Sequence, residues 1–487
     1  MQRAVTKREW LSLGTTGIDP RAGVSPAALG AFLCLLIASP LMRGGNRHVA
    51  LVLLEAAAIA FIAMVLTSGT HRPERSRRQW VLAFVLLSPA WLALVYLLPI
   101  PPSFSGAGSV RAMYSELLAN AGIPAMEWQP LSLAPDATLV SLLSGTLLIA
   151  AALAGSRMSA AQLRKVLIVF VAASFVQVVF GLLQASGGES SSLYFGGKVG
   201  RPFGTFANPN HFANYLGMAL VAFILLAHEG LTRRRDWHEG PRKTSREGPL
   251  ILWSSGGVFL LVGILMSGSR AGTVAALAST TAAFMLVMAF GSRSRRKSWR
   301  ARIVLPAIAV VAGVVLVGAD AMLARFDLEK LQGAIPFRAI QATTTLQGAA
   351  ELWPWGAGWG TYYSVYPRFQ PSNLVGIADY THNDYLQMLF EAGIFGAVLA
   401  AACAYLLIKR AFELVRSARR HHKLSREEMT CAVCGIGLLG FLLHSIAEFN
   451  MHIPANAIIA SLLAGVYLRP LEAHETRGAH PEPAPHD

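Results

Sequence analysis

Residues 379–396 read D-Y-T-H-N-D-Y-L-Q-M-L-F-E-A-G-I-F-G, and they run straight into the apolar stretch A-V-L-A-A-A-C-A-Y-L-L-I at 397–408. Polar and titratable groups crowd the first half, and the second half is membrane-like. Thr381 and Asp384 have capping-box spacing, with Thr381 capping and Asp384 reaching back, so a helix is predicted to begin here with His382 in its first turn. The stretch therefore predicts a spanning helix whose start carries chemistry at a water–membrane boundary.

The rest of the chain agrees. It has 487 residues, 54% of them hydrophobic and only 14% charged. Its apolar runs recur near the ~20 residues that cross a bilayer. About twelve spans are predicted, near 26–42, 48–68, 80–99, 136–155, 166–186, 210–228, 249–267, 271–290, 303–319, 386–408, 429–446 and 454–468. The fold class expected is an all-α polytopic membrane protein with both termini cytoplasmic. Residues 1–25 form a cytoplasmic N-terminal segment without a cleavable leader, 26–468 the transmembrane domain, and 469–487 a disordered cytoplasmic tail. A large external loop, 320–385, lies between the ninth and tenth spans. Its 326–350 portion reads as helical, and W-P-W-G-A-G-W-G at 353–360 reads as a turn-rich aromatic loop.

The net charge of +15 does not point to nucleic acid. Basic residues cluster as R-S-R-R (75–78), R-R-R (233–235) and R-S-R-R-K (293–297), each between two apolar runs. That is the positive-inside pattern of cytoplasmic loops, and it orients the chain. The four cysteines form no disulfide framework. Cys431 and Cys434 have metal or redox spacing but lie in an apolar helix, where small buried hydrophobes are the plainer reading. No paired-carboxylate or nucleotide-phosphate motif is present, so neither metal nor cofactor is expected.

In this topology four helices start on the external face: at N-P-N (208–210), at S-G-S-R (267–270), at 381–384 and at 450–454. Each start directs free N–H groups and a positive dipole end outward, which suits phosphate if the bundle gathers them. Asn208 and Asn210 flank the helix-opening Pro209. Arg270 lies at membrane depth and needs a polar interior or an anion, with snorkelling to headgroups as the alternative. Arg201 sits among glycines that permit close approach to a ligand, or is a solvated loop arginine. Two arginines suit a diphosphate better than two lysines, through bidentate hydrogen bonds. His382 is the candidate base, because histidine accepts protons near neutral pH, although a lone loop histidine is commonly structural. Asp384, Tyr385 and the intramembrane Glu391 are supporting candidates.

Taken in order, G-R-P-F-G-T-F-A-N-P-N (200–210), S-G-S-R-A-G (267–272), G-A-G-W-G-T (356–361), H-N-D-Y-L-Q-M-L-F-E-A-G-I-F-G (382–396) and F-N-M-H-I-P-A-N-A (449–457) resemble the bacterial O-antigen ligase and O-antigen polymerase superfamily over about 130–468. That resemblance implies an inner-membrane, metal-independent glycosyltransferase with its site facing the periplasm. The donor implied is an undecaprenyl-diphosphate-linked glycan, and the acceptor a glycan, lipid A–core or a protein hydroxyl. Arg201 and Arg270 would bind the diphosphate, and His382 would activate the acceptor. A transporter or flippase for a lipid-linked substrate would also want buried arginines, and a protein O-oligosaccharyltransferase of the same superfamily would share the motifs.

Overall fold

The structure is a computed structural model that describes residues 23–68, 83–101, 109–123, 128–194, 200–236, 247–291, 328–372, 374, 376 and 378–470. Among these, seven helices are long and apolar enough to cross a membrane. In chain order the main helices are α1 (Pro26–Leu41), α2 (His48–Thr67), α3 (Ser88–Leu97), α4 (Ser109–Asn120), α5 (Pro135–Arg157), α6 (Ala160–Ser186), α7 (Pro209–Asp236), α8 (Glu247–Met266), α9 (Arg270–Phe290), α10 (Leu328–Glu351), α11 (Asp384–His421), α12 (Arg426–His444) and α13 (Pro454–Leu468). Every expected span has a helical counterpart here except 303–319, which lies outside the described residues. The helix expected at 326–350 is α10.

Two differences occur in residues 99–130. This stretch contains α4, which its proline and glycine content concealed, and a two-residue antiparallel pairing of Pro99 with Pro130 and Ile100 with Gln129. Among the described residues the fold is otherwise helical.

Helices such as α2 and α8 are apolar on every side, which marks helices that face lipid as well as protein. In α2, Leu54, Ala58 and Phe61 are buried, whereas Val49, Val52, Leu53 and Leu66 are exposed. Polarity concentrates elsewhere. Gln177 and Gln184 of α6 are buried and hold the 203–205 turn: Gln184 Oε1 accepts from Phe203 N and Gly204 N, and Gln177 Oε1 accepts from Thr205 N. This fixes the loop that carries Arg201 to the bundle.

The last helix is central, packing on α5, α7 and α12, while α7 packs on α6, α8, α9 and α12. Closeness at the α5–α13 crossing depends on glycine. A Cβ on Gly155 would stand 2.3 Å from Leu462 O, and one on Gly465 would stand 2.2 Å from Ala152 O.

The long α11 is broken at Gly393, whose φ of 47° and ψ of −128° suit glycine alone. The break releases carbonyls, and the aromatic loop takes them: Ala357 N donates to Phe390 O and Gly358 N to Glu391 O, while Ile394 N donates to Pro354 O. The aromatic loop is thereby joined to the helix that opens beside His382.

Candidate functional site

Four helix starts converge at one end of the bundle, those of α7, α9, α11 and α13. Arg201 Nε donates to Ser267 O at 2.9 Å, tying the loop before α7 to the turn before α9. Its Nη2 donates to Asn210 Oδ1 at 3.2 Å. Asn208 Oδ1 accepts from Asn210 N at 2.8 Å and caps α7. Ser269 caps α9, and Arg270 is its first residue, half-buried, so the two arginines flank the same short turn.

The centre of the cluster is Glu448, in the link between α12 and α13, with its side chain only 1% exposed. Its Oε1 accepts from Asn210 Nδ2 at 2.6 Å and from Arg338 Nη2 of α10, and its Oε2 lies 3.1 Å from His382 Nδ1. Arg338 also donates through Nη1 to Ala447 O at 3.0 Å. Burial pushes the Glu448 carboxyl up, but the His382 hydrogen bond and the nearby basic groups, Arg338 among them, outweigh it. The group is held well below the usual carboxylate range. A charged, buried acid thus organises an asparagine, an arginine and the histidine that sequence singled out.

The local capping differs from expectation. Asn383, not Thr381, caps α11, its Oδ1 accepting from Tyr385 N and Leu386 N at 3.0 and 3.1 Å. His382 therefore precedes the helix and is free to turn toward Glu448. Asp384 does not reach back; its carboxylate accepts from Met451 N and pairs with His452 Nδ1, both at 2.9 Å. The physical reason is that a partner on the α12–α13 link outcompetes the local cap once the bundle forms.

The supporting residues divide. Tyr385 donates its hydroxyl to Leu442 O at 2.9 Å, fastening α11 to α12. Glu391 is buried and accepts from Gly360 N, Tyr362 N and Gln387 Nε2, so its carboxylate holds the aromatic loop rather than joining the Glu448 cluster. Gln387 Nε2 also lies 3.1 Å from His452 Nε2, linking Asp384, His452, Gln387 and Glu391 in one network. His452 is drawn down by burial, but the hydrogen bond and charge of Asp384 outweigh that and raise it above the ordinary histidine value. Phe449 lies between rings, stacked on Tyr380 with centroids 4.6 Å apart and tilted against His382 at 5.3 Å.

Glu448, Arg338 and His452 escaped the sequence reading. A signal existed: H-S-I-A-E-F-N-M-H (444–452) puts one acid in an apolar link between two spans, directly before the quoted 449–457 motif. Among the described residues, no group of three or more His, Cys, Asp or Glu is placed to hold a metal ion. Cys431 and Cys434 are buried free thiols in α12.

A search of curated proteins finds no match to the chain. Residues 256–401 match the family model described as O-Antigen ligase, a stretch that holds Arg270, Arg338 and His382 and ends before Glu448. Through residues 256–401 this multi-pass membrane protein is similar to the O-antigen ligase and polymerase superfamily.

Proposed function

We propose that the chain is a metal-independent, inverting glycosyltransferase of the inner membrane, acting at the periplasmic face on an undecaprenyl-diphosphate-linked glycan. The observation that carries this reading is the convergence on buried Glu448 of a histidine and of groups that lead to arginines. A base and an anion site adjoin, as a transfer from a diphosphate requires.

Glu448 fixes the His382 ring by holding Nδ1, which leaves Nε2 to face the acceptor. His382 Nε2 removes the proton as the acceptor hydroxyl oxygen forms its bond to the anomeric carbon. The bond from that carbon to the diphosphate oxygen breaks, and its electron pair leaves with the diphosphate. Single displacement inverts the anomeric centre. Arg201, Arg270 and the gathered helix starts stabilise the charge that grows on the leaving group. The acceptor is a further glycan, lipid A–core or a protein hydroxyl.

Surface polysaccharide from a deletion strain, resolved on a gel beside the complemented strain, tests this reading. Single repeats on core with long chains lost identify a polymerase; bare core with accumulated lipid-linked polymer identifies a ligase; a missing glycoprotein band identifies transfer to protein. Unchanged profiles of all three would overturn the proposal.

A further inference from the structure

Glu448 and Arg338 are unequal partners. The Glu448 side chain is 1% exposed and sits in a short link between two packed helices, so it stays in place. Arg338 is 41% exposed and reaches in from α10, on a long flexible stem. A half-exposed guanidinium can exchange partners at small cost, whereas a buried carboxylate left without a positive partner is expensive. Two groups in contact with Glu448 can supply that charge, Arg338 at Oε1 and a protonated His382 at Oε2.

Arg338 and Asn210 donate to the same oxygen, and Asn210 in turn accepts from Arg201. The Arg338 head group therefore lies within a few hydrogen-bond lengths of Arg201. The other charged and titratable groups that bear on Glu448 are His211 of α7 and His444 of α12, both buried.

We propose that Arg338 is shared between Glu448 and the diphosphate of the donor, moving from the first to the second as His382 takes up the acceptor proton. This rests on the assignment of His382 as base and of the arginine end as the diphosphate site. The charges balance at each stage. At rest, Glu448 pairs with Arg338 and His382 is neutral. On reaction, the acceptor proton makes His382 an imidazolium, which takes over the pairing with Glu448. The departing diphosphate gains one negative charge as the glycosidic electron pair moves onto it, and the released Arg338 meets that charge with a planar, bidentate donor. Acceptor activation and leaving-group stabilisation are coupled through a single carboxylate. Arg338 thereby acts as a positioning residue for the base at rest and contacts the leaving group during transfer.

The test uses full-length protein in nanodiscs, with lipid-linked oligosaccharide extracted from the producing strain as donor. In Arg338→Gln, Glu448 loses its resting cation, so His382 is held protonated to higher pH. The acid limb of kcat should move up by about one pH unit, a tenfold loss below the limb that recovers as pH rises, with donor KM little changed. Arg338→Lys keeps the charge, so the limb should stay in place while kcat falls for want of the planar fork. A readout free of turnover uses farnesyl diphosphate as probe and the ¹⁵N titration of His382. The probe should raise the wild-type midpoint and leave that of Arg338→Gln unmoved. A loss equal at all pH values, a rise in KM with the limb unmoved, or a wild-type midpoint indifferent to the probe would each overturn the proposal. Full transfer by His382→Ala would instead overturn the base assignment beneath it, so the two failures are separable. If Arg338→Gln does not fold, the wild-type probe titration and the Arg338→Lys limb still decide.

Discussion

His382 Nδ1 lies 3.1 Å from Glu448 Oε2, although the two residues are 66 positions apart and belong to different interhelical links. This contact leaves Nε2 as the ring nitrogen for the proposed base, and it joins α11 to the α12–α13 link at the end where the four helix starts meet.

His382→Ala should reduce glycan transfer by more than about 100-fold, the usual scale for losing a general base. Protein levels in the membrane should stay normal, because the ring is half-buried and its hydrogen bond is to one partner. Glu448→Gln should cost at least about tenfold, since the amide can still hold the ring but cannot stabilise an imidazolium. Rates for purified variants check both, and an unimpaired His382→Ala would remove the base from the mechanism.

Arg270→Lys should fail nearly as badly as Arg270→Ala, because a lysine keeps the charge but not the planar pair of donors that a diphosphate takes. Donor KM and kcat measured side by side would check this. Wild-type behaviour in the lysine variant would mean that Arg270 only reaches for headgroups. Divalent-ion chelators should leave transfer unaffected in the same assay; loss restored by added magnesium would contradict a metal-free site.

Gly393→Ala should destabilise the fold around the aromatic loop. The backbone there has φ 47°, and the added Cβ would stand 2.2 Å from Pro354 O. Strain of this kind costs on the order of 1–3 kcal/mol before any clash is counted. Thermal unfolding in detergent should show a lower Tm, with faster hydrogen exchange across 353–362. An unchanged melting curve would show that the broken geometry of α11 is not required.

His452 has a raised folded-state value, so its stabilising pair with Asp384 is fully present below the ordinary histidine range. It is lost as pH rises through the raised value. Hydrogen exchange in the 446–453 link, corrected for intrinsic rates, should therefore increase on the alkaline side. Asp384→Asn should remove that pH dependence. A link equally protected from pH 6 to 9 would sink the idea.

Sequence alone determined where the long apolar helices of the described residues run, because apolar length and polar interruptions are local properties of the chain. It also located the helix starts at Pro209, Arg270 and Pro454, since Asn, Ser and Pro declare a first turn by their own chemistry, but it placed the start of α11 two residues early, at a Thr381 cap where Asn383 caps the helix. Arg201, Arg270 and His382 stood out for the same reason: a charged or titratable group beside a long apolar run is conspicuous. What only the tertiary structure decided is which of these groups meet. Glu448 looked like an ordinary link residue until helix packing buried it under Asn210, Arg338 and His382. Asp384 looked like a capping residue until α13 brought His452 and Met451 N within reach. Glu391 looked functional by its depth, yet the broken helix turned it to the backbone of the aromatic loop. A buried carboxylate takes the donors that the assembled bundle presents, and those donors lie far from it in the chain. The fold was therefore legible residue by residue, whereas the partnership at the head of 379–396 existed only once α7, α10, α11 and the α12–α13 link had come together.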